Sequence, residues 1–286
     1  MKNPSVNSAR LVTYFNGATS LSFEEMAKLP YTDIIFSFLI PTGTDDLKLK
    51  GSGAWCCPDD LADNIRTLKN GGKNVLISFG GAINFGITTA QYEAYSKAVA
   101  ALVTDMVENW VKPCGFDGVD IDYEDTAAFE SGAPYDGVKF LSSLTEELAK
   151  QLPSGQALIT HAPQPPYWGK TWLLEPYVKV WNNVSESISW INNQFYGNAG
   201  WDGTPELDIT NYESIAETTG PSKLLVGMTL NKATQGYLPP SELISEVIKP
   251  LQLKYSGGIG GAMGWELSED TDGSWGKALG AALGFS

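Results

Sequence analysis

The chain has 286 residues, a formal net charge of −14 and 43% hydrophobic content. That balance disfavours nucleic acid and anionic membranes, which both reward lysine and arginine, and it suits a neutral partner. No apolar run reaches ~18 residues, so no membrane span is expected, and the chain is long enough for one large α/β domain with a full core.

Strand-like runs fall at Leu11–Phe15, Asp33–Phe38, Asn74–Phe79, Gly118–Tyr123, Ala157–Ala162, Ser189–Tyr196, Leu224–Thr229 and Gly261–Trp265. Helical periodicity fits Phe23–Lys28, Pro58–Asn70, Thr89–Trp110, Tyr135–Leu152, Leu173–Val180, Asn211–Glu217, Pro240–Leu253 and Trp275–Leu283. Thr88-Thr89 and Pro239-Pro240-Ser241 supply helix starts, and Gly71-Gly72 a stop. Eight strand–helix alternations argue for parallel strands with helical crossovers. At this length they predict a single (β/α)8 TIM barrel spanning residues 1–286, with an open doubly wound sheet as the alternative. Gly257-Gly258-Ile259-Gly260-Gly261 enters a strand instead of opening a helix, so it is not read as a phosphate loop.

The segment Asp117-Gly118-Val119-Asp120-Ile121-Asp122-Tyr123-Glu124 carries the most chemistry. Side chains alternate along a strand, so Asp120, Asp122 and Glu124 share one face and Val119, Ile121 and Tyr123 the other. Crowded acids in poor solvent cannot all ionise, and at least one pKa should rise. A carboxylic acid that keeps its proton near neutral pH is what glycosidic cleavage requires. A hard-cation site and a purely structural role are the competing readings. Asp117 has the opposite parity and is expected to serve loop N–H groups instead.

In a barrel, reactive groups gather at the C-terminal ends of strands. Glu124 ends the fourth strand, Ser78-Phe79-Gly80-Gly81 the third, Gln194-Phe195-Tyr196 the sixth and Trp265-Glu266 the eighth. Four distant segments therefore converge on one mouth.

These segments resemble glycoside hydrolase family 18, which contains chitinases and endo-β-N-acetylglucosaminidases. Asp117 to Glu124 matches its DxxDxDxE signature at every fixed position, and Ser78-Phe79-Gly80-Gly81 resembles its SxGG element. Ala162-Pro163-Gln164 and Gln194-Phe195-Tyr196 are similar to the APQ and QFY of class III chitinases. Gly261-Ala262-Met263-Gly264-Trp265 resembles the last strand, which ends in the tryptophan beneath the substrate. The resemblance implies substrate-assisted retaining hydrolysis of β-1,4 bonds after N-acetylglucosamine, without cofactor or metal. Glu124 would be the general acid and Asp122 would orient the sugar's acetamide. Asp120 would share a proton or hydrogen bond with Asp122, and Tyr196 would donate to the acetamide oxygen. Trp265 would form the floor, Gln194 would line the pocket, and Gly81 belongs to the same substrate-binding set.

Tyr14, ending the first strand, either contacts sugar or fills the barrel. Ser78, Gly80 and Gly81 are also expected to shape backbone near the site. Tyr167, Trp168 and Trp201 sit on mouth-side loops and are candidate stacking platforms. The nine tryptophans and twelve tyrosines suit core packing, with some surplus for sugar faces. His161, the sole histidine, is read as a hydrogen-bonded core group, since a zinc site would want several His or Cys ligands.

The expected partner is an N-acetylglucosamine-containing oligo- or polysaccharide, met by a monomer, with neither nucleic acid nor membrane involved. Chitin is preferred over the chitobiose core of N-glycans. A non-catalytic lectin on the same scaffold and a metal-dependent hydrolase are the remaining alternatives. The polar start Met1-Lys2-Asn3-Pro4-Ser5 is no signal peptide as written, and a secreted protein with its leader removed is expected. Asn183-Val184-Ser185 is a glycosylation sequon, relevant to a secreted chain. Cys114 should lie at the opposite barrel end from Cys56 and Cys57, too far away for a disulfide.

Overall fold

A computed structural model describes residues 9–43, 47–53, 55, 60–170 and 174–285. Nine strands form one sheet: β1 (Arg10–Phe15), β2 (Asp33–Pro41), β3 (Leu49–Gly51), β4 (Asn74–Gly81), β5 (Gly118–Tyr123), β6 (Leu158–His161), β7 (Trp190–Gln194), β8 (Leu224–Thr229) and β9 (Gly261–Trp265). Their order is β1-β9-β8-β7-β6-β5-β4-β2-β3, and β1 also pairs with β2, which closes the ring. Eight strands run parallel, and β3 alone is antiparallel, on the end of β2. This is the expected (β/α)8 barrel, not an open sheet, and β3 is an added hairpin arm.

Two cores follow from the alternation of side chains across each strand. The larger packs the outward residues, such as Ile34, Phe36, Ile77, Phe79, Val119, Ile121 and Val226, against the helices. The smaller fills the barrel with Val12, Tyr14, Ile35, Leu76, Ala162, Trp190, Leu225 and Met263. At the base, Asp33 accepts from Arg10 at 2.8 Å and Asn74 at 2.7 Å. The Arg10 guanidinium lies 3.9 Å from the Trp190 ring centroid. This partly exposed cation, set against a carboxylate and an aromatic face, caps the end opposite the mouth.

The helices largely follow their periodicity. Thr88 caps the helix Thr89–Ser96 reciprocally with Gln91, and Gly71 ends Leu61–Asn70 with Gly72 at φ +82°. The expected helix Thr89–Trp110 instead breaks at Lys97-Ala98 and resumes as Val99–Met106, followed by a π-helical stretch Val107–Val111. Tyr92 and Tyr95 of the first piece and Leu102, Val103 and Met106 of the second are buried. Asn211–Glu217 is the middle of a longer helix, Pro205–Thr219, started by Thr204, whose side chain accepts from Leu207 N–H. The expected helix starts at Pro58 and Leu173 lie outside the described residues. So do Cys56 and Cys57, and with them the disulfide expectation; Cys114 is a free, half-buried thiol.

Candidate active site

A cavity of about 440 Å³ opens at the C-terminal end of the barrel. Its walls come from seven barrel strands: Phe38 from β2, Gly80 and Gly81 from β4, Asp122 from β5, and Gln194 and Trp265 from the ends of β7 and β9. Glu124, Gln164, Tyr196 and Thr234 follow β5, β6, β7 and β8. Of the residues expected from sequence, Glu124, Asp122, Tyr196, Gln194, Gly81 and Trp265 meet here.

Asp120 and Tyr14 lie beneath the cavity. Asp120 is fully buried. Its Oδ2 accepts from Tyr14 Oη at 2.9 Å and Ser78 Oγ at 2.7 Å, and its Oδ1 from Thr160 Oγ1 and from Asn192 Nδ2 at 3.3 Å. Burial lifts its pKa and the four donors pull it back down. Tyr14 therefore serves a carboxylate inside the barrel, at 1% exposure, and is absent from the cavity wall.

Among the described residues, Asp122 and Glu124 form the only acidic part of the cavity wall. Burial lifts Asp122 well above the usual carboxylate range, and the Glu124 and Asp120 charges push the same way. Glu124 is raised too, mainly by burial, while donors from Gln194 and Asp122 restrain it. The two acids act on each other: Glu124 raises Asp122, and Asp122 restrains Glu124. The rise expected from three acids on one strand face is therefore present. Asp120, which accepts from four other donors, acts on Asp122 through its charge. Gln194 Nε2 reaches Asp122 Oδ1 at 2.9 Å and the Ala162 carbonyl at 2.7 Å. Gln164 Nε2 approaches Glu124 Oε2 at 3.3 Å.

Trp265 packs on Phe38, with centroids 5.5 Å apart and planes at 21°, and meets Tyr14 edge-on at 5.4 Å. Phe38 and Trp265 give an apolar floor beside the acids, with Tyr14 beneath it. Burial and the neighbouring acids hold the Tyr196 pKa well above its ordinary value, so its hydroxyl remains a donor.

Two glycines are required here. Gly80 has φ +116°, and a Cβ on it would lie 2.1 Å from the Asp122 carbonyl oxygen. Gly81 has φ +90°, and its Cβ would press the Phe38 ring at 2.9 Å. Asp117 accepts from Val75 N–H at 2.9 Å and pairs with Lys69 at 2.7 Å, away from the cavity. His161 is fully buried between Thr145 at 3.0 Å and Tyr177 at 3.3 Å, and burial lowers its pKa to about 3. It is the core group expected. Tyr167 and Trp168, offered above as stacking platforms, are buried instead. Tyr167 hydrogen-bonds Thr126 at 2.8 Å, and Trp168 Nε1 donates to Asn193 at 2.9 Å. Trp201 is half-buried beside Gly169.

Sequence reasoning gave no role to Phe38, Thr160, Asn192, Gln164 or Thr234. Thr160 and Asn192 carried a usable signal, because both are polar at inward strand positions. Phe38 carried none. It shares parity with Phe36 of the outer core, and only the register shift between Phe36 and Leu39 turns it inward.

The family model of glycosyl hydrolases family 18 matches residues 10–244. A crystal structure of a GH18 chitinase from Pseudoalteromonas aurantia superposes with a TM-score of 0.88 at 36% identity, covering 96% of this chain and 100% of that one. Chitinase 2 of Rhizopus oligosporus is 28% identical over 74% of this chain, and Endochitinase 3 of Metarhizium robertsii is 25% identical over 72%. The matched segments span 37% and 63% of those two proteins. With its acidic strand and cavity in the same arrangement of elements, the chain belongs to glycosyl hydrolase family 18.

Proposed function

We propose that this protein hydrolyses β-1,4 bonds after N-acetylglucosamine in chitin or its oligosaccharides, with retention of configuration and with the substrate's own acetamide as nucleophile. The observation that carries this reading is the Asp122–Glu124 pair. Among the described residues, the two acids that line the cavity stand two positions apart at the end of β5, where Glu124 raises the pKa of Asp122 and Asp122 restrains that of Glu124. A retaining enzyme with a protein nucleophile needs its second carboxylate across the sugar, about 5 Å from the acid. Among the described residues no other acid lines the cavity.

Glu124, whose pKa burial raises, donates its proton to the leaving glycosidic oxygen. As the bond breaks, the acetamide carbonyl oxygen closes on the anomeric carbon to form an oxazolinium ion. Asp122 accepts the acetamide N–H and counters the positive charge, while Tyr196 donates to the acetamide oxygen and fixes its aim. Glu124, now a carboxylate, removes a proton from the water that opens the ring. Trp265 and Phe38 exclude water beneath the reacting sugar. Asp120 anchors the floor from which Asp122 projects. The similarity to a GH18 chitinase at 36% identity supports chitin over other substrates. Protein donors already occupy Asp120, which weighs against a hard-cation site.

The test is incubation with colloidal chitin and, separately, with a high-mannose glycoprotein, followed by mass spectrometry of the released sugars. Chitooligosaccharides from the first support the proposal. Release of the glycan alone would move the substrate to the N-glycan core. Binding without release from either would leave a lectin.

A further inference from the structure

Three large hydrophobic side chains stand exposed among the described residues: Phe85 at 88%, Leu253 at 85% and Leu174 at 68%. Of these only Phe85 lines the cavity at the barrel mouth. Isolated exposed apolar groups are ordinary, but an aromatic ring beside a binding cleft has an evident use.

The loop that carries it is closed and braced. Phe85 N–H donates to the Ala82 carbonyl at 3.1 Å, and Asn84 N–H to the Ile87 carbonyl at 2.9 Å. Ile83 and Ile87 form a bridge across the loop. Asn84 turns the chain at φ +68°, a conformation asparagine tolerates better than most residues. Ile87 is fully buried and anchors the far side. One end of the loop runs from Gly81 of β4 and the other enters the capped helix at Thr88. The ring is thus held out by a shaped segment, and little ordering remains to oppose contact with a ligand.

We propose that Phe85 is a stacking platform for a sugar of the bound chain beyond the one held at Asp122 and Glu124, and that it favours linear β-1,4-linked N-acetylglucosamine. This rests on the function proposed above. In that polymer the ring substituents are equatorial, so each sugar face presents axial C–H groups, a flat apolar surface for an aromatic ring. Mannose places its 2-hydroxyl axially, which breaks one such face. Phe38 and Trp265 supply the apolar floor at the reacting sugar, and Phe85 extends it at the rim.

The test uses the catalytically silenced Glu124→Gln protein and calorimetric titration with chitooligosaccharides of two to six units. With Phe85 intact, affinity should climb with chain length. Adding Phe85→Ala should cost the longest oligomers about tenfold, within what burial of a phenyl ring supplies, and the shortest binder less than twofold. Phe85→Trp should restore the long-chain gain, and the melting temperature should stay unchanged in both variants. Equal affinity of Phe85→Ala and its parent at every length would overturn the proposal. So would an equal loss at every length, which would mean that the loop props the inner cavity. If the parent bound no chitooligosaccharide at all, the proposed function would fail and this inference with it.

Discussion

Asp208 offers a quantitative check on the electrostatics beneath the Tyr196 loop. It is fully buried, its Oδ1 accepts one long hydrogen bond from Gly203 N–H at 3.4 Å, and its Oδ2 has no partner. Burial, with Asp202 and Glu206 nearby, raises its pKa from 3.8 to about 7. The folded protein therefore holds a proton that the unfolded chain releases near 3.8. The stability this confers is full below that pH and is lost as pH rises through 7. Each unit is worth about 1.4 kcal/mol, so between pH 5 and 8 this group alone withdraws about 2–3 kcal/mol. Asp208→Asn cannot ionise and should escape that loss. Near pH 5 the two proteins should unfold within about 1 kcal/mol of each other, because amide and neutral acid present similar groups to the same site. At pH 8 the variant should be more stable by about 2–3 kcal/mol, or roughly 5 °C in melting temperature. Urea unfolding from pH 5 to 8 reads the difference. Parallel pH dependence of parent and variant would refute the reasoning, because it would mean that the carboxylate ionises in place without cost.

Glu124→Gln should lower kcat by about 10²–10⁴ while leaving oligosaccharide affinity within a few fold, since an amide keeps the shape but has no acidic proton; unchanged turnover would remove Glu124 from the reaction. The Glu124 pKa is raised, so its protonated form persists above the ordinary glutamate value of 4.5. The alkaline limb of the kcat/KM profile should accordingly lie above pH 4.5, with activity present below that limb and lost above it. Gly80→Ala combines a left-handed backbone with a 2.1 Å clash against the Asp122 carbonyl. It should cost about 2 kcal/mol or more of stability and lower kcat, and an active, equally stable variant would contradict the packing described at β4. His161→Phe should change thermal stability without moving the pH–rate profile between 5 and 8, because a group titrating near 3 is neutral throughout that range.

The barrel and most of the cavity wall were legible in the sequence because both depend on simple periods. Alternation along β5 placed Asp120 and Asp122 inward, and strand ends placed Glu124, Gln194 and Trp265 at the mouth. The rest depended on contacts that no period encodes. The partners of Asp120 are four donors from β1, β4, β6 and β7 that only the closed barrel brings together. Phe38 reaches the cavity through a register irregularity that parity reasoning reverses. Tyr167 and Trp168 looked like loop aromatics, yet their polar tips found partners in Thr126 and Asn193, and the rings went inside. Helix continuity failed at Lys97-Ala98, where the Ala98 backbone leaves the helical region at φ −141° and ψ 38° although the apolar period runs on through it.

The convergence of those four donors on Asp120 also constrains how the chain can be divided. Tyr14 and Ser78 precede Asp120, while Thr160 and Asn192 follow it. A cut between β5 and β6 would strand the carboxylate in the N-terminal piece with half its donors, inside a sheet lacking its closing wall. Only the whole chain supplies all four donors, so the two pieces would have to meet for Asp120 to regain them.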